Sequence, residues 1–431
     1  MSKKGKKKQK DYAIRTCMIH NDYDSRHWEY NHPIVPPINA SCAYRLDSVE
    51  RGMKGFSQFA SEESETGTPI YVYERLDEPT RGILEEKLAL AEDGDIAVCF
   101  ATGMAAVSAA ISINVAFGDE IIAHHLLYGC TFSLLSNWMP RQGVSTRFID
   151  LRDTQVLAQS ITEKTRVVYF ETPVNPTLEM LDIKAIRECV DVVNEGRGAE
   201  EKIVLIVDNT FATPFCQRPL DYGADLVVHS LTKNIGGFGT DMGGVVIGAK
   251  RFHRPLLLYR KDFGGALSAR SAWPILVYGL PTLATRIEQE QKSALKIAQF
   301  LEGHPMIAHV SYPALNSFPQ AELSRRQMIS YDGKFAPGSM IYFVLKGDVA
   351  TAQDAAARFI DVIAKSSHSI TLAVSLGQTR TLVEEPYSMT HAALPDEIKN
   401  AAALEPGGIR LSIGLEAAED IIADLAFALK V

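Results

Sequence analysis

Apolar and polar positions follow two rhythms along this chain, and the change falls near residue 70. Ahead of it the apolar residues keep no sustained period, and "HPIVPPINAS" carries three prolines that would interrupt a helix. Residues 11–69 therefore read as an extended arm, with "GFSQFASEESETGTP" as an exposed loop. From Ile70 onward, "PTRGILEEKLALAE" sets apolar residues at helical spacing. Short apolar runs then alternate with helical stretches: "DIAVCF", "DEIIAHH", "STRFIDL", "TRVVYFE", "KIVLIVDN", "ADLVVHS" and "GGVVIGA". Strands that are apolar on both faces suit a parallel sheet covered by helices, an α/β layer fold. A long helical pattern, "LPTLATRIEQEQKSALKIAQFLEG", precedes strands such as "SMIYFVL" and "GGIRLSIG". The expected organisation is a large α/β domain over 70–275 and a smaller α+β domain over 276–431.

Composition narrows the class. Of 431 residues, 46% are hydrophobic and 22% charged, an ordinary globular balance. A net charge of −8 argues against a nucleic-acid surface. The start, "MSKKGKKKQK", is a local exception, and residues 1–10 read as a solvated, disordered basic tail. No secretory apolar segment follows those lysines, and no apolar run reaches the roughly 18 residues of a membrane span. The cytoplasm is the expected location. Cys17, Cys42, Cys99, Cys130, Cys189 and Cys216 form no CxxC pair, which argues for reduced thiols and against a metal site.

In open α/β sheets ligands collect beyond the carboxyl ends of the strands. After "DIAVCF", Gly103 and Met104 open a small-residue helix whose N–H groups can face an anion. After "DEIIAHH", Tyr128 and Cys130 lie in a loop before a helix. After "TRVVYFE" comes Asn175, and after "KIVLIV" comes Asp208, a carboxylate costly to bury unpaired. After "ADLVVH", Ser230 and Thr232 flank the approach to Lys233. Singly, each has a plainer reading: a helix start, a core aromatic, a turn former, an N-cap. In this order they describe an anion site, a ring-stacking tyrosine, a partner for a ring nitrogen and an amine that can bond an aldehyde. Pyridoxal phosphate requires that set.

At these motifs the chain resembles the Cys/Met-metabolism family of pyridoxal-phosphate enzymes. The matching pieces are "YVYERLDEPT", "ATGMAA", "LYGCTF", "ETPVNPT", "VDNTFATP", "SLTKNIGG", "SLGQTRTLVEEPYSMTH" and "GGIRLSIGLE", running from about Ile34 to the C-terminus. The resemblance implies an aspartate-aminotransferase-like (type I) fold with pyridoxal 5'-phosphate as cofactor. Lys233 would carry the covalent link, Asp208 pair with the ring nitrogen, Tyr128 stack on the ring and Asn175 bond its phenolic oxygen. Gly103, Met104, Ser230 and Thr232 would hold the phosphate, with Tyr73 and Arg75 reaching that of a neighbouring subunit. Arg410 would clamp the substrate carboxylate, assisted by Ser375. A homo-oligomer follows from the resemblance, a tetramer built as a dimer of dimers.

Within the family, Cys130, the Lys261–Asp262 pair and Val374 resemble methionine γ-lyases. Valine at 374 suits the apolar end of methionine, where cystathionine enzymes tend to have glutamate. The expected reaction is γ-elimination from L-methionine to methanethiol, 2-oxobutyrate and ammonia. Lys233 would move protons between Cα and Cβ. Tyr128 would protonate the leaving sulfur, which calls for a nearby cation to bring its pKa toward neutrality. Cystathionine γ-lyase, cystathionine γ-synthase and O-acetylhomoserine sulfhydrylase are the alternatives, and a non-catalytic scaffold retaining the fold is a remote one. The chain departs from the family at Glu78, Gln378 and Arg380 and in a longer loop over 55–68, all expected near the substrate entrance.

Overall fold

The computed structural model describes residues 12–20, 33–61, 68–390, 399 and 404–430. The basic tail over 1–10 lies outside them. The chain divides into two compact units, one of 1–114 with 219–283 and the other of 115–218 with 284–431. All seven apolar runs expected as strands in the α/β region are strands.

In the first unit, β1 (Ile96–Phe100) and β6 (Leu226–Ser230) both run antiparallel to β7 (Gly244–Gly248). Glycine lets the chain approach closely here: a Cβ on Gly244 would stand 2.2 Å from Thr102 O. The helix Pro79–Glu92 begins with proline at its first position, where the missing N–H costs nothing. Glu78 caps it, its carboxylate accepting from Thr80 N at 2.8 Å and Arg81 N at 2.5 Å. Glu78 is fully buried. This departure from the family serves as a helix cap. Burial pushes its carboxyl up to about 7, against the pull of Arg81. Two arginine heads are buried nearby with their acceptors. Arg81 donates to Leu267 O and Glu74 O, while Arg260 donates to Glu85 and Leu76 O.

The arm contains a helix that the sequence pattern does not announce. Val49–Gln58 is α-helical, capped by Ser48, so the loop expected over 55–58 is corrected. Its inward face carries glycines: Gly52 and Gly55 are buried, and a Cβ on Gly55 would stand 2.7 Å from Val72 Cγ2. Val49, Met53 and Phe56 face outward, so the usual apolar stripe is inverted.

In the second unit four strands form a wholly parallel set. β2 (Glu120–His124) lies between β3 (Ser145–Ile149) and β4 (Thr165–Glu171), and β4 pairs with β5 (Val204–Asp208). A second sheet has the order β10–β11–β12–β9–β8, with β8 (Ile307–Ser311), β9 (Met340–Leu345), β10 (Ile370–Leu372), β11 (Thr381–Glu384) and β12 (Gly408–Ser412). It is antiparallel except for β10 with β11. One face builds a core of Ile341, Phe343, Ile409 and Leu411 against Phe359 and Ile363 of the helix Val349–Ser366 and Ile421 and Leu425 of Ala418–Ala428. No helix among the described residues is long and apolar enough to cross a membrane.

Candidate active site

The predicted residues fall into two sets, one in each unit. In the first unit, Gly103 opens the helix Gly103–Ser112, with Thr102 as its N-cap accepting from Ala105 N at 3.1 Å. First-turn N–H groups of a helix have no acceptor within it, so this end suits an anion. Gly103 sits against the end of β6: an added Cβ would stand 2.8 Å from Ser230 Cβ. The loop after β6 is tightly wound. Lys233 N donates to Ser230 O at 3.2 Å, Gly236 N to Leu231 O at 2.9 Å and Gly237 N to Lys233 O at 2.8 Å. Thr232 Oγ1 accepts from Gly243 N at 3.2 Å, which ties the hydroxyl to the start of β7. Tyr73 and Arg75 are exposed, with the guanidinium 5.5 Å from the ring centre. Arg75 also donates to Lys261 O. Lys261 Nζ and Asp262 Oδ1 pair at 2.6 Å, partly in solvent.

In the second unit the strand ends carry the chemistry. Asp208 closes β5 opposite Glu171, which closes β4. Thr210 N donates to Asp208 Oδ1 at 2.9 Å, the local turn bond that is the plainer role for this residue, and Tyr169 OH reaches Oδ2 at 3.4 Å. Glu171 is buried, and desolvation together with Asp208 pushes its carboxyl well up. It accepts from Tyr128 N at 2.8 Å and so fixes the backbone where the helix Gly129–Ser133 begins. The Tyr128 phenol is pushed up to about 12, first by burial and then by Cys130, Glu171 and Glu384. Its own surroundings move it away from the neutrality expected for an acid catalyst.

Arg410, Asn175 and Ser375 come together. Arg410 is buried and donates from one terminal nitrogen to Asn175 Oδ1 at 2.9 Å and from the other to Ser375 O at 2.9 Å. It also forms an ion pair with Glu384 at 3.0 Å. Burial lowers its pKa and Glu384 opposes that. Because Arg410 occupies the carbonyl side of the Asn175 amide, the NH2 side is its donor, the polarity a phenolic oxygen needs. Ser375 has φ +92°, a strained setting for a residue with a Cβ. Val374 beside it is 59% exposed. Arg380 is exposed. Glu171 and Glu384 are functional neighbours absent from the sequence reading. Their signal was slight: Glu171 ends an apolar run, and Glu384 is the first of two adjacent glutamates.

His124, His125 and Asp150 bring ligand-type atoms within 4.8 Å of one another. Leu151 N donates to His124 Nδ1 at 3.2 Å, and Arg152 pairs with Asp150 at 2.6 Å.

The donor set fits pyridoxal phosphate. Taken unit by unit, the donor types are those the group needs: in the first, a helix start close against Ser230 that suits a phosphate; in the second, the Asn175 amide with its NH2 as donor and a carboxylate ending β5, which suit a phenolic oxygen and a ring nitrogen. The family described as "Cys/Met metabolism PLP-dependent enzyme" matches residues 15–430. An L-methionine gamma-lyase of Treponema denticola is 38% identical over 397 residues, 92% of each chain. An O-succinylhomoserine sulfhydrylase of Mycobacterium tuberculosis is 37% identical over 83% of this chain and 84% of its own. Among solved structures, cystathionine gamma synthase from Xanthomonas oryzae in complex with aminoacrylate and cysteine aligns with TM-score 0.83 at 31% identity, over 97% of this chain and 98% of that one. The fold is therefore that of the cystathionine γ-synthase-like enzymes, mostly parallel α/β with a smaller C-terminal sheet. The chain belongs to the Cys/Met-metabolism pyridoxal-phosphate-dependent enzymes and resembles the carbon–sulfur lyases among them.

Proposed function

We propose that this chain catalyses γ-elimination from a sulfur amino acid, with L-methionine and water giving methanethiol, 2-oxobutyrate and ammonia. The observation that carries this reading is the run of methionine γ-lyases among its relatives, 35–38% identical over nearly the whole chain, together with Cys130, Lys261, Asp262 and Val374. The named sulfhydrylase and synthase relatives keep cystathionine γ-lyase or γ-synthase and O-acetylhomoserine sulfhydrylase as the second reading.

When bound, pyridoxal phosphate stores the electrons released at the substrate Cα. The chain's residues do the rest. Lys233 would hold the cofactor aldehyde, and its Nζ as a free amine would move protons at the substrate Cα and Cβ. Asp208 holds the ring nitrogen, Asn175 the phenolic oxygen and Tyr128 the ring face. Gly103, Met104, Ser230 and Thr232 hold the phosphate, with Tyr73 and Arg75 supplied by a second subunit of a homo-oligomer, a tetramer on this reading. Arg410 has five N–H donors, of which Asn175, Ser375 and Glu384 account for three, leaving an edge for the substrate carboxylate. Tyr128 keeps its proton at neutral pH and so has one to give to the departing sulfur. Cys130 would lie along the γ-substituent. We read its location as the cytoplasm.

Steady-state rates on methionine, cystathionine and O-acetylhomoserine with sulfide test the substrate. Methionine is expected to have the highest kcat/KM and to release methanethiol. Turnover of cystathionine or the acetyl ester without methanethiol from methionine would select the second reading. No turnover of any of them would favour a scaffold.

A further inference from the structure

Arg410 is held by three groups of the second unit. Asn175 Oδ1 and Glu384 Oε1 both engage Nη1, at 2.9 Å and 3.0 Å, and Ser375 O accepts from Nη2 at 2.9 Å. The edge that Nε and Nη2 share is the one left for a carboxylate. A planar guanidinium must be aimed to present that edge, since its donors are fixed in one fork. Asn175 and Ser375 offer neutral oxygens. Among the described residues, Glu384 alone pairs an opposite charge with Arg410. Burial works against the charge on Arg410, and Glu384 sustains it.

Glu384 is itself fixed. It stands opposite Arg410 across β11 and β12 and is 1% exposed. Thr390 Oγ1 donates to the same oxygen, Oε1, at 2.9 Å. The Thr390 carbonyl lies against Gly129, where an added Cβ would stand 2.9 Å from it. Gly129 follows Tyr128, so the hydroxyl that steadies Glu384 belongs to a segment seated beside Tyr128.

We propose that Glu384 is a positioning residue for the substrate carboxylate: with Thr390 behind it, it aims the open edge of Arg410. This rests on Arg410 taking that carboxylate, as proposed above. Glu384 acts through Arg410 and touches neither substrate nor cofactor on this reading.

The test is calorimetric titration of the cofactor-loaded enzyme with 4-(methylthio)butanoate, which is methionine without its amine. It cannot condense with the cofactor aldehyde, so its heat reports the carboxylate site. Glu384→Ala should weaken binding roughly tenfold or more, in line with loss of a charge-assisted contact. Glu384→Gln keeps an acceptor oxygen for Nη1 and Thr390 and should return the affinity to within about threefold of wild type. Thr390→Val, which removes the hydroxyl and little volume, should weaken binding by about threefold and serves alone if Glu384→Ala does not fold. With methionine as substrate, the loss in Glu384→Ala should fall in KM, with kcat within about twofold of wild type.

Wild-type affinity in Glu384→Ala, or in Thr390→Val where the first does not fold, would overturn the proposal. So would an equal loss in Glu384→Gln and Glu384→Ala, or a loss confined to kcat. Arg410→Lys separates this role from the reading beneath it. Weakened binding there beside wild-type affinity in Glu384→Ala overturns the positioning role alone. Wild-type affinity in Arg410→Lys overturns the assignment of Arg410 to the carboxylate, and this role with it.

Discussion

Glu384 and Arg410 stand opposite each other on neighbouring antiparallel strands, and their side chains pair at 3.0 Å almost out of reach of solvent. Thr390 Oγ1 donates to the same carboxylate at 2.9 Å. Removing one partner of a buried pair strands the other, which costs about 3–5 kcal/mol. Glu384→Ala should lower the unfolding free energy by that order in urea titration. Arg410→Lys keeps the charge but loses the fork that serves Asn175 and Ser375. On our reading it should raise KM at least about tenfold, one missing charge-assisted bond being worth about 1.5–3 kcal/mol. An unchanged KM would remove Arg410 from the carboxylate site.

Gly103 tests the anion cradle. A methyl group at this position would stand 2.8 Å from Ser230 Cβ, so the helix start or the end of β6 must shift. Overpacking of this kind costs about 1–3 kcal/mol. Gly103→Ala should weaken pyridoxal-phosphate binding roughly tenfold or more, read by equilibrium dialysis. Affinity equal to wild type would separate this contact from the cofactor.

Glu290 predicts a pH dependence of stability. Burial pushes its carboxyl from 4.5 up to about 7, with Arg286 pulling the other way. Between those values the folded protein holds more protons than the unfolded chain, so unfolding free energy falls as pH rises. Below the window both states are protonated and nothing is lost. Above it the full decline, about 3 kcal/mol, has accrued. Glu78 acts in the same direction over the same range. Glu290→Gln should therefore make the fall of urea-melt free energy across the window shallower, by about 3 kcal/mol in total. An identical slope in wild type and variant would refute the assignment.

Val374 bears on substrate choice. It is exposed and precedes Ser375, whose carbonyl accepts from Arg410. Val374→Glu should raise kcat/KM for cystathionine relative to methionine by roughly tenfold, a step of about 1.4 kcal/mol. No shift in that ratio would take position 374 out of specificity.

Much of the fold was legible because its strands are apolar runs too short for helices. "TRVVYFE" and "KIVLIVDN" became β4 and β5, with Glu171 and Asp208 at their ends. The helix Val49–Gln58 was not legible, because it turns glycines inward and Val49, Met53 and Phe56 outward. Glu384 was hidden for another reason. Its partner lies 26 positions further along, and only the register of β11 with β12 brings them face to face. The strained φ of Ser375 and the burial of Glu78 likewise belong to tertiary context, which local pattern does not encode.

The account rests most directly on Lys233, at the start of the tight loop after β6. Borohydride reduction of the enzyme with pyridoxal phosphate, followed by peptide mass mapping, locates the lysine that carries the cofactor. The account predicts a phosphopyridoxyl group on Lys233 in the wild type and no modified peptide in Lys233→Ala. Modification of a different lysine, or of none, would contradict it.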